Sequence, residues 1–329
     1  MPKVSVIVPV YGVEIYIERC ARSLFEQTLD DIEYLFVDDC TPDRSIEILR
    51  QVLEEYPHRK EQVIIHRMEQ NSGQAKVREW GIKNATGEYV IHCDTDDWVD
   101  KDMYRAMYEM AQEDKADIVI CDYYKVTNSN KEYIKGRNIG DKDSLISDLI
   151  TEKVSWSVWN KLVKNSLYWS DDILFPRGNM GEDMALIMQL ILKANKISYL
   201  PKPLYFYLYN PLSITHQKSE GAIYNKYMQF TDNVNIVLSS FNRLECSERY
   251  DKELSYLKWC ARRCLWSITN KPRYRAEWFQ TFPEIIPSIL WTSFLKTKVK
   301  IKIILTYLRL YPKRNYFNII QKRINFTRQ

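Results

Sequence analysis

No two of the seven cysteines stand in C-x-x-C spacing, and an odd number cannot all pair. That argues against structural zinc and against a disulfide framework, and it fits reduced thiols in a cytoplasm. No apolar run approaches the roughly 20 residues that cross a bilayer. No charged and apolar leader precedes the first strand-like run, so no targeting segment is expected. That run is followed by Tyr11-Gly12-Val13-Glu14. One glycine there does not make the G-x-G-x-x-G of a dinucleotide fold, which speaks against a Rossmann-type oxidoreductase. There is no Gly-rich basic loop of the nucleotidyltransferase kind either, and no internal repeat or low-complexity segment. Finally, no Asp or Glu follows Glu284, whereas residues 285–329 carry ten Lys or Arg. The overall net charge of +4 therefore leaves residues 1–284 at −6.

What remains is an ordinary globular composition. The 329 residues are 45% hydrophobic and 27% charged, enough for a real core and about two domains. Twenty-three tyrosines and nine tryptophans suit stacking on sugars or bases, though core packing uses such residues too.

Residues 3–122 alternate strand and helix signals. Val4–Val8, Tyr34–Val37, Val63–Ile65, Tyr89–Cys93 and Asp117–Cys121 are apolar runs of strand length. Ile17, Cys20, Ala21, Leu24 and Phe25 keep helical spacing, as do Ile46, Leu49, Val52, Leu53 and Tyr56; a further helix is expected from about Gly73 to Asn84. The series predicts a mostly parallel sheet with helices on both faces. Residues 123–140 suggest a hairpin or loop, and residues 141–193 helices broken near Pro176-Arg177-Gly178. Ile197–Leu200 and Leu204–Leu208 read as two short strands, and the rest from about 218 as helical.

Two acidic clusters end strands. Asp38-Asp39 closes the second, and Asp94-Thr95-Asp96-Asp97 closes the run through Tyr89–Cys93. Two unit charges about 5 Å apart repel by roughly 3 kcal/mol at an effective dielectric near 20. A fold tolerates this where a hard cation such as Mg²⁺ or Mn²⁺ sits among the carboxylates. The plain alternative is a solvated acidic turn opening a helix at Trp98–Met103. Ligands of open α/β sheets bind beyond the carboxyl ends of strands, where both clusters fall.

In order along the chain come Val4-Ser5-Val6-Ile7-Val8-Pro9-Val10-Tyr11, Val37-Asp38-Asp39-Cys40-Thr41-Pro42-Asp43, and Asn71-Ser72-Gly73 with Arg78. Then follow Ala85-Thr86-Gly87-Glu88-Tyr89, Asp94-Thr95-Asp96-Asp97, Trp159-Asn160-Lys161-Leu162, Gly181-Glu182-Asp183 and Ser213-Ile214-Thr215. By these motifs, over roughly residues 1–217, the chain resembles glycosyltransferase family 2. These are inverting, nucleotide-sugar-dependent enzymes of GT-A fold, of the kind found in bacterial polysaccharide and capsule synthesis. Gly12 stands where the family usually has Asn, Cys40 where it usually has Gly, and Val77-Arg78-Glu79 replaces Ala-Arg-Asn.

The resemblance implies a GT-A catalytic domain at 1–217, with a nucleotide half at 1–122 and an acceptor half at 123–217. A helical C-terminal region would occupy 218–329. It implies a UDP-sugar donor, with Pro9 and Tyr11 walling the base pocket, Asp39 accepting the uracil N3–H, and Asp38 as second candidate. Arg78 would contact the diphosphate or organise the acidic cluster. Asp96 is the expected Mn²⁺ or Mg²⁺ ligand, Asp94 would reach the ribose or the metal, and His216 is a further ligand candidate. If strand geometry persists, Asp94 and Asp96 face one way and Asp97 the other, where it caps a helix. Asp183 is the expected general base and Glu182 the runner-up; either also suits the helix start it occupies. Trp156 and Trp159 either stack on an acceptor sugar or pack in the core. A non-catalytic nucleotide- or carbohydrate-binding module is the competing class, and intact Asp96 and Asp183 weigh against it.

In the basic end segment Lys296–Lys302 alternates with Val299 and Ile301, followed by Ile303, Ile304, Leu305, Leu308 and Leu310. This suggests an amphipathic element on an anionic membrane surface; the alternative is a packed helix with a solvated basic face. No nucleic-acid-reading motif accompanies it. The expected setting is the cytoplasm, peripheral on the inner face of the plasma membrane, with a saccharide or lipid-linked oligosaccharide as acceptor.

Overall fold

The computed structural model describes residues 1–127, 129–136, 141–170, 172–209 and 219–311. The chain divides into two compact units, Met1–Ser213 and Ile214–Gln329.

The first unit is built on one nine-stranded mixed sheet. Strands β1 (Val4–Val10), β2 (Ile32–Asp38), β3 (Val63–Arg67) and β4 (Tyr89–His92) are mutually parallel in the order β3-β2-β1-β4. Helices α1 (Ile17–Phe25), α2 (Ser45–Glu54) and α3 (Gln74–Asn84) make the crossovers. The apolar runs of β1 and β2 are buried throughout except at Pro9, as strands covered on both faces must be. Helix α1 buries Ile17, Cys20, Ala21, Leu24 and Phe25, the stripe that 3.6-residue periodicity allows.

The sheet continues through β8 (Lys161–Lys164), β6 (Ile118–Val126), β9 (Ile197–Leu208) and the two-residue β5 (Trp98–Val99), and β7 (Lys131–Ile134) pairs with β6. Strand β8 runs antiparallel to both β4 and β6, while β6 and β9 are parallel. Helices α4 (Met103–Asp114), α5 (Lys142–Ile150) and α6 (Glu182–Lys193) cover this half.

Three expectations need correction. No helix opens at Trp98; that residue enters β5, and α4 begins at Met103. The stretch expected to be helical at 141–193 contains β8, whose Lys161 is wholly buried with its Nζ donating to Ser155 O, Ser157 O and Asn160 Oδ1 at 2.7–2.9 Å. The two short strands around Pro201 and Pro203 are one strand, β9, whose register against β6 shifts at Asp122. The prolines sit at that irregularity, where no ladder hydrogen bond is asked of them.

The second unit comprises α7 (Glu220–Arg243), α8 (Asp251–Leu265), α9 (Pro272–Gln280), α10 (Ile286–Trp291) and α11 (Thr297–Tyr307); Trp259 of α8 and Trp278 of α9 are buried, and Tyr307 of α11 meets the Trp278 ring at 5.5 Å. The Arg262 guanidinium lies 4.0 Å from the Trp278 ring centroid. Among the described residues no helix is long and apolar enough to cross a membrane.

Candidate active site

Arg78 is the centre of the site. It lies on α3, its side chain is 2% exposed, and three carboxylates meet it. Its Nη2 donates to Asp94 Oδ1 at 2.6 Å, and its Nη1 donates to Glu182 Oε1 and Asp183 Oδ1. Strand β4 delivers Asp94, and the first turn of α6 delivers Glu182 and Asp183. Gly181 starts that turn at φ 76°, a left-handed conformation that glycine adopts without strain. Burial works against the Arg78 charge, but Asp183, Glu182 and Asp94 outweigh it and hold the guanidinium above its usual range. A fully buried arginine among carboxylates organises the cluster.

The two acids of α6 are not equivalent. The Glu182 side chain is 6% exposed and that of Asp183 29%. Burial pushes the Glu182 carboxyl up, Arg78 opposes the shift, and Asp183 adds to it. Of these two acids, Asp183 is the one that combines contact with Arg78 and substantial access to solvent.

The Asp94–Asp97 segment leaves the strand at once. It forms a turn closed by Asp97 N–H donating to Asp94 O at 3.1 Å, so strand alternation does not apply. Asp97 is buried and caps no helix. It accepts from the Tyr205 hydroxyl at 2.7 Å and from Leu208 N–H at 2.7 Å, tying the turn to β9. Tyr205 Oη also accepts the Asp94 N–H at 3.1 Å. Tyr205 is thus a site-building residue that the sequence reading missed; an aromatic in an alternating strand carries no distinguishing signal.

Burial pushes the Asp96 carboxyl up to about 6, and Asp94 adds to the shift. Arg19 reaches Asp96 only through its main-chain oxygen, at 2.7 Å. Among the described residues no cation pairs with the Asp96 side-chain oxygens, and such a desolvated carboxylate is a fitting donor for a hard divalent ion. Among the described residues no three Asp, Glu, His or Cys side chains converge as a metal cage. Asp96 and Asp94 are oxygen donors of the kind that hold Mg²⁺ or Mn²⁺ together with further oxygen ligands. His216 lies outside the described residues.

Asp38 and Asp39 are both buried and both engaged by protein. Asp38 accepts from Thr41 N–H at 2.7 Å and from Arg67 at 2.9 Å. Asp39 accepts from the N–H groups of Ser72 and Gly73 at 2.7 and 2.8 Å, which fixes the entry to α3. Gly73 has φ 82°, and a Cβ there would meet the Asn179 amide at 2.4 Å. Asn179 in turn accepts from Ala75 N–H at 3.1 Å, satisfying one orphan donor of α3 from a distant loop. Asn179 also escaped the sequence reading.

Cys40 adopts φ 59°, so the left-handed backbone of the usual glycine is kept despite the side chain. Tyr11 is 51% exposed at the end of β1, and Pro9 O accepts the Thr95 hydroxyl at 3.0 Å. Trp159 is 5% exposed and stacks on Tyr205 at 4.2 Å and Tyr207 at 5.8 Å, so it packs in the core. Trp156 is half-buried, its indole N–H donating to Leu149 O at 2.5 Å.

The parallel-led sheet, with carboxylates gathered beyond its strand ends, has the architecture of a GT-A fold. The chain belongs to glycosyl transferase family 2, whose family model matches residues 5–186. It is 35% identical over 225 residues to the uncharacterized glycosyltransferase EpsJ of Bacillus subtilis, covering 65% of this chain and 63% of that protein. It is 32% identical over 262 residues to the putative glycosyltransferase EpsH of the same organism, covering 77% and 73%. A crystal structure of S. aureus TarS residues 1–349 in complex with UDP-GlcNAc superposes with a TM-score of 0.68 at 21% identity, covering 94% of this chain and 88% of that one. At that identity the likeness establishes the fold.

Proposed function

We propose that this protein transfers a sugar from a UDP-sugar to a hydroxyl of a saccharide or lipid-linked saccharide, with inversion, in a single displacement. The observation that carries the reading is the Arg78 hub, which holds a half-open carboxylate, Asp183, beside the Asp94–Asp96 turn. TarS, captured with UDP-GlcNAc, supports the donor class.

In this reading Tyr11 and Pro9 flank the base and Asp39 receives the uracil N3–H on a free lone pair. Asp183 takes the proton of the acceptor hydroxyl, whose oxygen forms a bond to the anomeric carbon. The bond from that carbon to the UDP oxygen breaks, and its electron pair leaves with UDP. Asp183 releases the proton to solvent. Arg78 acts through Asp183 and Asp94 by fixing their positions. Asp96, with Asp94 beside it, would hold a divalent cation, which supplies charge neutralisation for the departing diphosphate.

Calorimetric titration with UDP, with and without Mn²⁺, tests the donor site on wild type and Asp96→Ala. Mn²⁺-dependent UDP binding that the variant loses is the expected result. Binding of no nucleotide across a wider panel would sink the reading, and binding without turnover of any nucleotide-sugar would favour a non-catalytic module.

A further inference from the structure

Helix α11 has two apolar sides, and only one faces protein among the described residues. On the inner side Ile303 and Thr306 are buried. Thr306 Oγ1 accepts from the Trp266 indole at 3.0 Å, and the Tyr307 hydroxyl accepts from Arg262 at 3.0 Å. On the outer side Ile301, Ile304 and Leu308 are 50, 44 and 61% exposed. At about 100° per residue these three fall within roughly 60° of one another, opposite the buried pair. By the same spacing Lys298 and Lys302 flank them on one side and Lys300 on the other. A helix that only meets water places its lysines at the centre of the outer arc and aliphatics inside. Here aliphatics occupy the centre and lysines the rims. Trp291, at the end of α10, is 88% exposed in the same stretch, whose sequence from residue 285 to the end carries ten Lys or Arg and no Asp or Glu.

We propose that this face of α11 is a docking surface for an anionic lipid bilayer. Ile301, Ile304 and Leu308 enter the boundary between headgroups and acyl chains, and Lys298, Lys300 and Lys302 reach lipid phosphates, their aliphatic stems lying along the surface. The charge pattern selects this occupant: a second copy of the chain would bring the same lysines against these. The inference rests on the reading that the acceptor is presented on a lipid, but vesicle binding is measured apart from sugar transfer.

The test is co-sedimentation of the full chain with phosphatidylcholine vesicles, with and without phosphatidylglycerol. The expected result is binding that requires phosphatidylglycerol. A variant carrying Ile304→Ser and Leu308→Ser should bind at least tenfold more weakly. Replacing Lys298, Lys300 and Lys302 by Gln should weaken binding by about a hundredfold. Thermal unfolding and UDP titration on the same samples should be unchanged, since neither set is in the core or the site. Absence of phosphatidylglycerol-dependent binding, or binding by both variants as strong as that of wild type, overturns the proposal. A dimer in light scattering that the serine variant abolishes, without vesicle binding, assigns the face to a second copy. Lost thermal stability of that variant, again without vesicle binding, assigns it to residues 312–329.

Discussion

Arg78 and Asp183 stand 105 residues apart in the chain and form an ion pair, with Arg78 Nη1 donating to Asp183 Oδ1. Through this contact α3, the crossover between β3 and β4, and the first turn of α6 share one electrostatic centre. Arg78→Ala leaves Asp94, Glu182 and Asp183 facing one another, and breaking a buried pair in this way costs about 3–5 kcal/mol. Arg78→Lys keeps a charge but not the fork that serves Nη1 and Nη2 contacts together. We expect chemical denaturation to rank wild type above Lys and Lys above Ala. Both variants should lose transfer activity by more than tenfold. A Lys variant as active as wild type would show that the fork geometry does not position Asp183.

The two acids of α6 separate by exposure. Asp183→Asn should lower kcat by about 10²–10⁴-fold, the usual contribution of a general base, with UDP affinity kept. Glu182→Gln removes a charge that burial disfavours and keeps the shape, so we expect unchanged or higher stability and activity within about tenfold of wild type. Single-turnover rates on both variants distinguish the roles. The reverse ranking would make Glu182 the base.

The parallel half of the fold was legible because β1, β2 and β4 are dominated by apolar residues and α1 has a clean apolar stripe. Strand β8 was not, because only Leu162 and Val163 stand between lysines, and the buried Lys161 is indistinguishable in sequence from a surface one. Strand β9 read as two because Pro201 and Pro203 mark a register shift as well as they mark a strand end. The acidic clusters drew attention to the region beyond the strand ends, but not to how its carboxylates are held. The partners of Arg78 lie 16, 104 and 105 residues away, a distance over which no local pattern carries information. The orientation of Asp97 follows from Tyr205, on a strand more than a hundred residues on, and not from alternation in β4.

Cys40 holds a left-handed backbone that costs a non-glycine residue about 1–2 kcal/mol. Its thiol returns part of this by donating to Met68 O at 3.0 Å. Cys40→Gly removes the strain, loses that bond and adds freedom to the unfolded chain, for a net gain of about 0.5 kcal/mol. Cys40→Ala loses the bond and keeps the strain, so it should fall below wild type. Equilibrium denaturation should therefore place Gly above Ala by about 1 kcal/mol or more. Equal stabilities would mean that the turn relaxes away from φ 59° when the thiol is removed.

Asp43 joins the loop after β1 to the loop after β2. Its Oδ1 accepts from the hydroxyls of Thr41 and Ser45 at 2.7 and 2.6 Å, and its Oδ2 accepts from Glu14 N–H at 2.9 Å. Partial burial pushes its carboxyl up, but the hydrogen bonds from Ser45, Thr41 and Glu14 outweigh it and hold it at about 2. The folded value thus lies below the unfolded one, so the unfolded chain binds more protons between the two. The stabilisation is complete above about pH 4–5 and is lost as pH falls towards 2. Asp43→Asn cannot titrate. It should lower stability at neutral pH by about 1–2 kcal/mol and flatten the acid limb of the stability curve over that interval. Urea denaturation of both proteins at stepped pH reads the effect directly. Parallel acid limbs would show that the Asp43 carboxylate does not hold the two loops together.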